Sequence, residues 1–236
     1  MQQLKVTIRS IALLLIALAS PILPAQAGQA AGLKGRFSHP LNINNPYSPL
    51  VAGTIFVYDG TVDGKRSHER FIVTRQTKTV RGVTTRVVDD RDYENGVLVE
   101  QTFDWFAQDD AGNVWYFGEF ATQYENGKVV GHEGSWRAGT NGASEGIIME
   151  AHPKVGDTYP QEVAPGVGAD KATVVSLNKS LCVPYGCFSR VLETKEFSPL
   201  EPGVIENKYY ALGVGQIKAV MVKGGSEAST LTTVRK

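Results

Sequence analysis

Turn dipeptides at short, nearly regular intervals are the feature that most constrains this fold. Strand-like runs at 54–62, 69–77, 83–93, 97–107 and 113–124 are each followed by a turn sequence, and a sixth run starts at Lys128. The turn sequences are Asp63-Gly64, Arg81-Gly82, Asn95-Gly96, Asp109-Asp110-Ala111-Gly112 and Asn126-Gly127. Asn-Gly and Asp-Gly are favoured in tight hairpins because these turns need positive φ. The pattern predicts an antiparallel meander.

The second half of the chain returns to the same pattern after a looser segment. Strand-like runs lie at about 170–178, 181–197, 204–211, 215–223 and 228–235, and no segment shows sustained helical periodicity. We therefore expect an all-β fold: an antiparallel meander of about twelve strands forming a large curved sheet, a half-barrel or a barrel. Residues 51–236 are expected to be one domain, with a loop or crossover at about 134–165.

The N-terminus carries the three parts of a secretory signal peptide. Lys5 and Arg9 precede an apolar run at 11–19, and Ala25-Gln26-Ala27 is a small-x-small cleavage signal. Nine apolar residues are too few to span a bilayer, so no stable membrane span is expected after cleavage behind Ala27. This predicts a periplasmic or extracellular protein. Residues 28–50, rich in Pro and Asn, are expected to form an irregular leader.

The two cysteines agree with an oxidising compartment. Cys182 and Cys187 bracket Val183-Pro184-Tyr185-Gly186, which has the chemistry of a tight turn between two strands. We expect a structural disulfide across the neck of that hairpin. A redox-active pair or a soft-metal site is the alternative, although the spacing is not the C-x-x-C of thiol oxidoreductases.

Charge and histidine content narrow the range of functions. Lys and Arg together number 24, equal to Asp plus Glu, so a dedicated nucleic-acid binder with a basic excess is disfavoured. The four histidines, His39, His68, His132 and His152, lie far apart and form no ligand-spaced pair. No metal, cofactor or catalytic residue is assigned on this basis.

Asp89-Asp90-Arg91-Asp92 places four charges in a row. We interpret the run as a solvated strand end that blocks edge pairing. The alternative is a calcium site formed by Asp90 and Asp92, which share one face of a strand, with a turn carbonyl.

Large aromatic rings in two neighbouring runs are the strongest functional signal. Phe103 and Trp105 share one face of a strand, and Trp115 and Phe117 share a face of the next, with Tyr116 on its other face. One face must fill the core. The other is expected to line a cavity for an apolar or sugar-like ligand, which makes these five residues the candidate binding site. A two-sided core is the alternative.

The C-terminal third carries three motifs: VPYGCF at 183–188, VLET at 191–194 and KYYALGVGQI at 208–217. They resemble a group of secreted bacterial β-rich proteins with a V-P-x-G-x-F … Y-Y-A-x-G-V-G pattern, and the resemblance extends over about residues 45–223. It implies a compartment and a β-rich fold but no reaction. Because the group commonly has serine or threonine at the position of Cys187, it also implies that the disulfide is an addition in this chain.

Three functions remain open at this point. The first is a soluble periplasmic or secreted β-protein that binds a small ligand in a cupped sheet. The second is an envelope-associated structural or interaction module whose partner is another envelope protein. The third is a secreted hydrolase that uses His132, Glu133, His152 or the Asp cluster.

Overall fold

The computed structural model describes residues 32–236; the predicted signal peptide, and the first residues of the leader, lie outside the described residues. Between 32 and 236 the chain forms fourteen β-strands and no helix. The strands are β1 (Ile55–Val62), β2 (Lys65–Val80), β3 (Val83–Glu94), β4 (Val97–Gln108), β5 (Val114–Glu125), β6 (Lys128–Gly131), β7 (Trp136–Arg137), β8 (Gly146–Met149), β9 (Thr158–Pro160), β10 (Lys171–Val183), β11 (Gly186–Phe197), β12 (Ile205–Ala211), β13 (Gly215–Lys223) and β14 (Glu227–Arg235).

All of the strands belong to one antiparallel sheet. Its order is β6-β5-β4-β3-β2-β1-β14-β13-β12-β11-β10-β9, and the short strands β7 and β8 pair with β5 beside β6. The sheet is curved and does not close into a barrel. The prediction of an all-β fold built on a curved antiparallel sheet is confirmed, with β7, β8 and β9 formed inside the looser segment 134–165. No helix within 32–236 has the length and apolar character needed to cross a bilayer.

Local turn chemistry sets the register of the first meander. Asn95 and Gly96 have φ of 49° and 82°, and Asn126 and Gly127 have φ of 51° and 74°. Positive φ at both central residues is the requirement of the two-residue hairpin turns whose twist matches the strands. The hairpins predicted at these dipeptides are confirmed.

The first and last strands, β1 and β14, pair with each other. Their pairing joins the two halves of the sheet, β1 to β6 and β9 to β14. β1 and β14 align from Ile55 opposite Arg235 to Val62 opposite Glu227. At the centre of this pair the two backbones approach closely, and a Cβ at Gly60 would overlap the carbonyl of Ala228. Glycine is therefore required at position 60 by space, not by its φ.

The predicted disulfide is confirmed. Cys182 and Cys187 are cross-strand partners at the end of the β10–β11 hairpin, with Cα atoms 4.0 Å apart. The bond ties the two strands at the turn of the hairpin.

The irregular residues before β1 are fastened to the sheet by hydrogen bonds. The Asn45 side chain donates to the carbonyls of Gly112 and Glu150, each at 3.0 Å. The backbone N–H of Asn45 donates to the side-chain oxygen of Gln108. Ile43 and Leu50 are buried in the main hydrophobic core. This segment therefore covers one part of the curved sheet and ends beside its inner face.

We expect the Gly60→Ala substitution to lower the free energy of unfolding by about 1–3 kcal/mol, the usual cost of overpacking a tight site. The strain would fall on the β1–β14 pair that joins the two halves. Urea unfolding followed by circular dichroism measures the change. Gly131→Ala on the edge strand β6 is the matched control, because its Cβ would meet its nearest neighbour at an ordinary 3.5 Å. Equal stability of the two variants would contradict the prediction.

Candidate functional site

The concave side of the sheet holds a partly open cavity of about 220 Å³. Side chains from strands of both halves line it, together with Ser48, Pro49 and Leu50 of the leader. Six of the lining residues carry aromatic rings: Phe56, Tyr58, Phe71, Phe106, Tyr116 and Tyr210.

The two-residue period of a β-strand explains which residues face the cavity. Alternate residues of a strand point to the same side of the sheet. On β4, Thr102, Asp104 and Phe106 line the cavity, while Trp105 between them does not. The same alternation selects Asp90 and Asp92 on β3.

An irregularity in β5 brings two further side chains to the inner face. The β4–β5 register shifts between Asp104 and Phe106, and Gly118 on β5 has a φ of 121°. A Cβ at Gly118 would overlap the carbonyl of Trp136 on β7, so the site requires glycine. Because of this shift, Tyr116 and Glu119 both border the cavity although they are three residues apart.

The wall of the cavity is strongly acidic. Eleven of its side chains are carboxylates: Glu69, Asp90, Asp92, Glu100, Asp104, Glu119, Glu162, Asp170, Glu196, Glu206 and Glu227. Among the described residues that line the cavity, Lys208 alone is basic. The electrostatic potential inside is therefore favourable to positive charge.

Tyr116 lies at the centre of the acidic group on β4 and β5. Its hydroxyl is 2.6 Å from Asp104 Oδ1 and 2.8 Å from Glu119 Oε2, and its ring stacks on Phe106 with centroids 4.8 Å apart. Burial raises the pKa of the Tyr116 hydroxyl well above its usual value, and the charges of Asp104 and Glu119 raise it further. The phenol therefore stays protonated and donates its one hydrogen to a carboxylate oxygen of Asp104 or of Glu119.

On the β9–β14 half of the sheet, Lys208 forms ion pairs with two acids of the wall. Its Nζ lies 2.8 Å from Glu196 Oε2 and 3.4 Å from Glu206 Oε2. Burial alone would lower the pKa of the Lys208 ammonium, but the charges of Glu196 and Glu206 outweigh it, and the pKa stands well above its usual value. The hydroxyl of Tyr210 donates to Glu196 Oε1 at 3.2 Å. The charged Lys208 ammonium therefore balances part of the negative charge of Glu196 and Glu206.

Glu162 and Asp170 face the cavity from the region between β9 and β10. Burial raises the pKa of the Glu162 carboxyl well above its usual value, and the charges of Glu119, Asp170 and Asp104 act in the same direction, while Lys208 opposes them. The pKa of Asp170 is raised as well, first by burial. These two carboxyls hold protons more readily than ordinary surface acids.

The five aromatic residues predicted to form the site occupy different places. Tyr116 lines the cavity. Trp105 and Trp115 are buried in the core; Lys78 Nζ lies 3.7 Å from the Trp105 ring centroid, and Trp115 Nε1 donates to Asp109 at 2.8 Å. Phe117 is fully buried, and Phe103 is half-buried opposite Phe120. The structure therefore brings one of the five to the cavity and packs four elsewhere.

The interpretation of the Asp89-Asp90-Arg91-Asp92 run as a solvated strand end is wrong. Strand β3 is paired with β2 and β4 throughout this run, so it is not a free edge. Asp89 is buried and held by Arg91 at 2.6 Å and by Gln101 at 2.8 Å. The sequence did contain a signal for the cavity. Acidic residues stand at alternate positions of neighbouring strands, and this spacing places several carboxylates on one face of the sheet.

Of the groups considered for hydrolysis or metal binding, Asp90 and Asp92 line the cavity, whereas the histidines and Glu133 lie elsewhere. His132 stacks on Phe120 with centroids 4.7 Å apart, and its Nδ1 is 2.9 Å from the carbonyl of Ala121. His132, Glu133 and His152 are exposed and do not line the cavity. Over residues 32–236, no three His, Cys, Asp or Glu side chains are grouped so as to hold one metal ion.

Comparison with protein-family models finds no match, and comparison with curated proteins finds no match either. Among solved structures, the chain is similar to a candidate lipoprotein from Parabacteroides distasonis ATCC 8503, at 12% sequence identity and a TM-score of 0.45, covering 81% of this chain and 99% of that one. This similarity is too low to transfer a fold or a function.

We expect the stability of the protein to fall as the pH rises above the usual carboxyl pKa of 4.5. In that range folded Glu162 retains a proton that the unfolded chain releases, so the folded state binds more protons and each further pH unit costs up to about 1.4 kcal/mol. This stabilisation is complete at low pH and is lost as the pH passes through the raised pKa. Urea unfolding at about pH 5 and about pH 8 measures it.

Glu162→Gln, which cannot ionise, should flatten this decline, because only Asp170 and the other raised carboxyls then contribute. The exposed Glu133→Gln is the control and should follow the wild type. A decline as steep in Glu162→Gln as in the wild type would show that Glu162 does not hold the proton.

Proposed function

We propose that the protein is a binding protein that holds a small molecule in the cavity on the concave side of its sheet. The observation that carries the proposal is the composition of that cavity, in which aromatic rings and polar groups from both halves of the chain line one concave space. Concave sites with rings and a few oriented polar groups are typical of ligand binding. The volume suits a ligand of fragment size.

The aromatic part of the wall is arranged to receive a ligand from two sides. Phe56 and Phe71 meet edge to face, with centroids 6.2 Å apart, on the strands β1 and β2. Phe106 and Tyr116 stack on the strands β4 and β5. Rings held in such pairs have few alternative rotamers, so the surface they offer is already formed before a ligand arrives.

The site of action that we propose is outside the cytoplasm, in the periplasm or beyond the cell. The Cys182–Cys187 disulfide supports this, because such bonds persist in oxidising compartments and are rare in the cytosol. The predicted signal peptide, with cleavage after Ala27, supports the same location.

Partly filling the cavity should weaken binding without unfolding the protein. Ala219 is buried on β13 and borders the cavity, so Ala219→Phe places a ring inside it. We expect ligand-observed NMR with neutral, cationic and anionic fragments to detect binders of the wild type, and Ala219→Phe to weaken them at least about tenfold, or about 1.4 kcal/mol.

Val222→Phe is the matched control, because Val222 lies on the same strand, is 54% exposed and does not line the cavity. It should bind the same fragments as the wild type. The proposal fails if no fragment binds the wild type, or if both variants bind as the wild type does.

A further inference from the structure

The side of the sheet that faces away from the cavity, which we call the outer face, can be assigned from the strand register. Residues directly opposite each other on neighbouring strands lie on the same face. One continuous row across β12, β13, β14, β1 and β2 is Tyr209, Lys218, Thr230, Asp59 and His68. The adjacent row, with Lys208, Ala219 and Ser229, borders the cavity. Because successive residues of a strand alternate in direction, the first row belongs to the outer face.

Basic side chains are concentrated on the outer face. Six of them form no ion pair with a carboxylate anywhere in residues 32–236. They are Arg66 and Arg70 on β2, Lys171 on β10, Lys195 on β11, Lys218 on β13 and Arg235 on β14. The charge of the sheet is thus divided between its two faces, since the opposite face carries the acids of the cavity wall.

The outer face also carries acids, but these have partners of their own. Asp59 Oδ1 lies 2.7 Å from His68 Nδ1. Glu193 Oε2 lies 3.1 Å from Lys179 Nζ. Asp89 is bound by a guanidinium of its own strand. These acids therefore leave the charge of the six cations to solvent or to a partner outside the chain.

The cations are spread across the sheet and do not converge on one point. Lys195 and Arg66 belong to one row of the outer face, on β11 and β2. In the order β11-β12-β13-β14-β1-β2 they are five strand spacings apart, or about 24 Å along the sheet. A single small anion would reach only one or two of the six. The matching partner is an extended surface with many anionic groups.

Apolar groups lie among these cations. Lys218 Nζ is 5.7 Å from the ring centroid of Tyr209, and Lys195 Nζ is 5.8 Å from that of Phe197. Val220 stands in the same row as Lys195. Tyrosine rings and long basic side chains suit a membrane interface, which offers phosphates above an apolar layer. A hydrated acidic polysaccharide offers the charge without the apolar layer, so the composition of the outer face favours a bilayer.

We infer that the outer face docks the protein on an anionic phospholipid bilayer, with its six unpaired cations against the lipid phosphates and its rings at the level of the headgroups. Docking in this orientation turns the cavity away from the lipid, toward the surrounding solution. The inference goes beyond the proposed function and does not depend on it, since the two surfaces lie on opposite faces of the sheet.

Co-sedimentation of the protein with lipid vesicles, after removal of the predicted signal peptide, tests the inference. One set of vesicles is pure phosphatidylcholine, which has no net charge, and the other is an equal mixture of phosphatidylcholine and phosphatidylglycerol. A Lys or Arg near an anionic bilayer strengthens binding about fivefold. We therefore expect binding to the anionic vesicles to be at least about a hundredfold tighter, and to weaken steeply between about 0.05 M and about 0.5 M salt.

Lys195→Gln and Lys218→Gln should each weaken binding to the anionic vesicles about fivefold, because each removes one charge from the contact surface. Lys154→Gln makes the same change at an exposed residue of the loop between β8 and β9, and this matched control should bind as the wild type does. If circular dichroism shows that either outer-face variant is unfolded, Arg66→Gln on β2 replaces it.

Equal binding to the two sets of vesicles, binding to neither, or an equal loss in Lys154→Gln and Lys218→Gln would overturn the inference. Tighter binding to heparin, a soluble sulfated polysaccharide, than to anionic vesicles at the same concentration of negative charge would overturn it too. Ala219→Phe should bind the vesicles as the wild type does, because Ala219 borders the cavity on the other face. Fragment binding and vesicle binding can therefore fail independently of each other.

Discussion

The pairing of β1 with β14 is the interaction on which the rest of the structure depends. β1 to β6 form one meander and β9 to β14 form another, and each could exist as a chain of local hairpins. The pairing of Ile55–Val62 with the C-terminal strand joins them edge to edge, which turns two sheets into one continuous concave wall. Because the cavity takes side chains from both halves, it exists only when this long-range pair is made. The close approach at Gly60 shows how little freedom that pair allows.

Burying acids on a concave face has a thermodynamic cost that the structure meets in two different ways. On one half, Lys208 supplies a permanent cation to Glu196 and Glu206. On the other half, the Tyr116 hydroxyl lies within hydrogen-bonding distance of both Asp104 and Glu119. A buried charge without a partner is strongly unfavourable, so contacts of both kinds are needed for the acids to be buried.

The hairpins were predictable because the information for them is local. Asn95-Gly96 and Asn126-Gly127 specify their turns through φ alone, and Cys182 and Cys187 are separated by one turn. The cavity was not predictable in the same way, because the face that a residue occupies depends on strands far away in sequence. Asp90 and Asp92 were read as an exposed end, yet β2 and β4 pair with β3 on both sides and turn these acids inward. Simple alternation places Tyr116 on the face opposite Trp115 and Phe117, which pack in the core, but it cannot show that the irregularity at Gly118 brings Glu119 to the same face as Tyr116.

The acids that line this cavity lower the stability of the folded protein. A ligand bound there would offset that loss. The raised pKa values of Glu162 and Asp170 in the cavity wall mean that the protein is less stable at neutral pH than at low pH. A cation that binds the folded state alone stabilises it by mass action, by about 2.7 kcal/mol when its concentration is a hundred times its dissociation constant. Asp104 on β4, Glu119 on β5 and Glu162 between β9 and β10 are therefore acids at positions where apolar residues would give a more stable fold. Such a wall is retained at a cost to stability, and any ligand that binds the folded state alone would offset that cost by the same mass action.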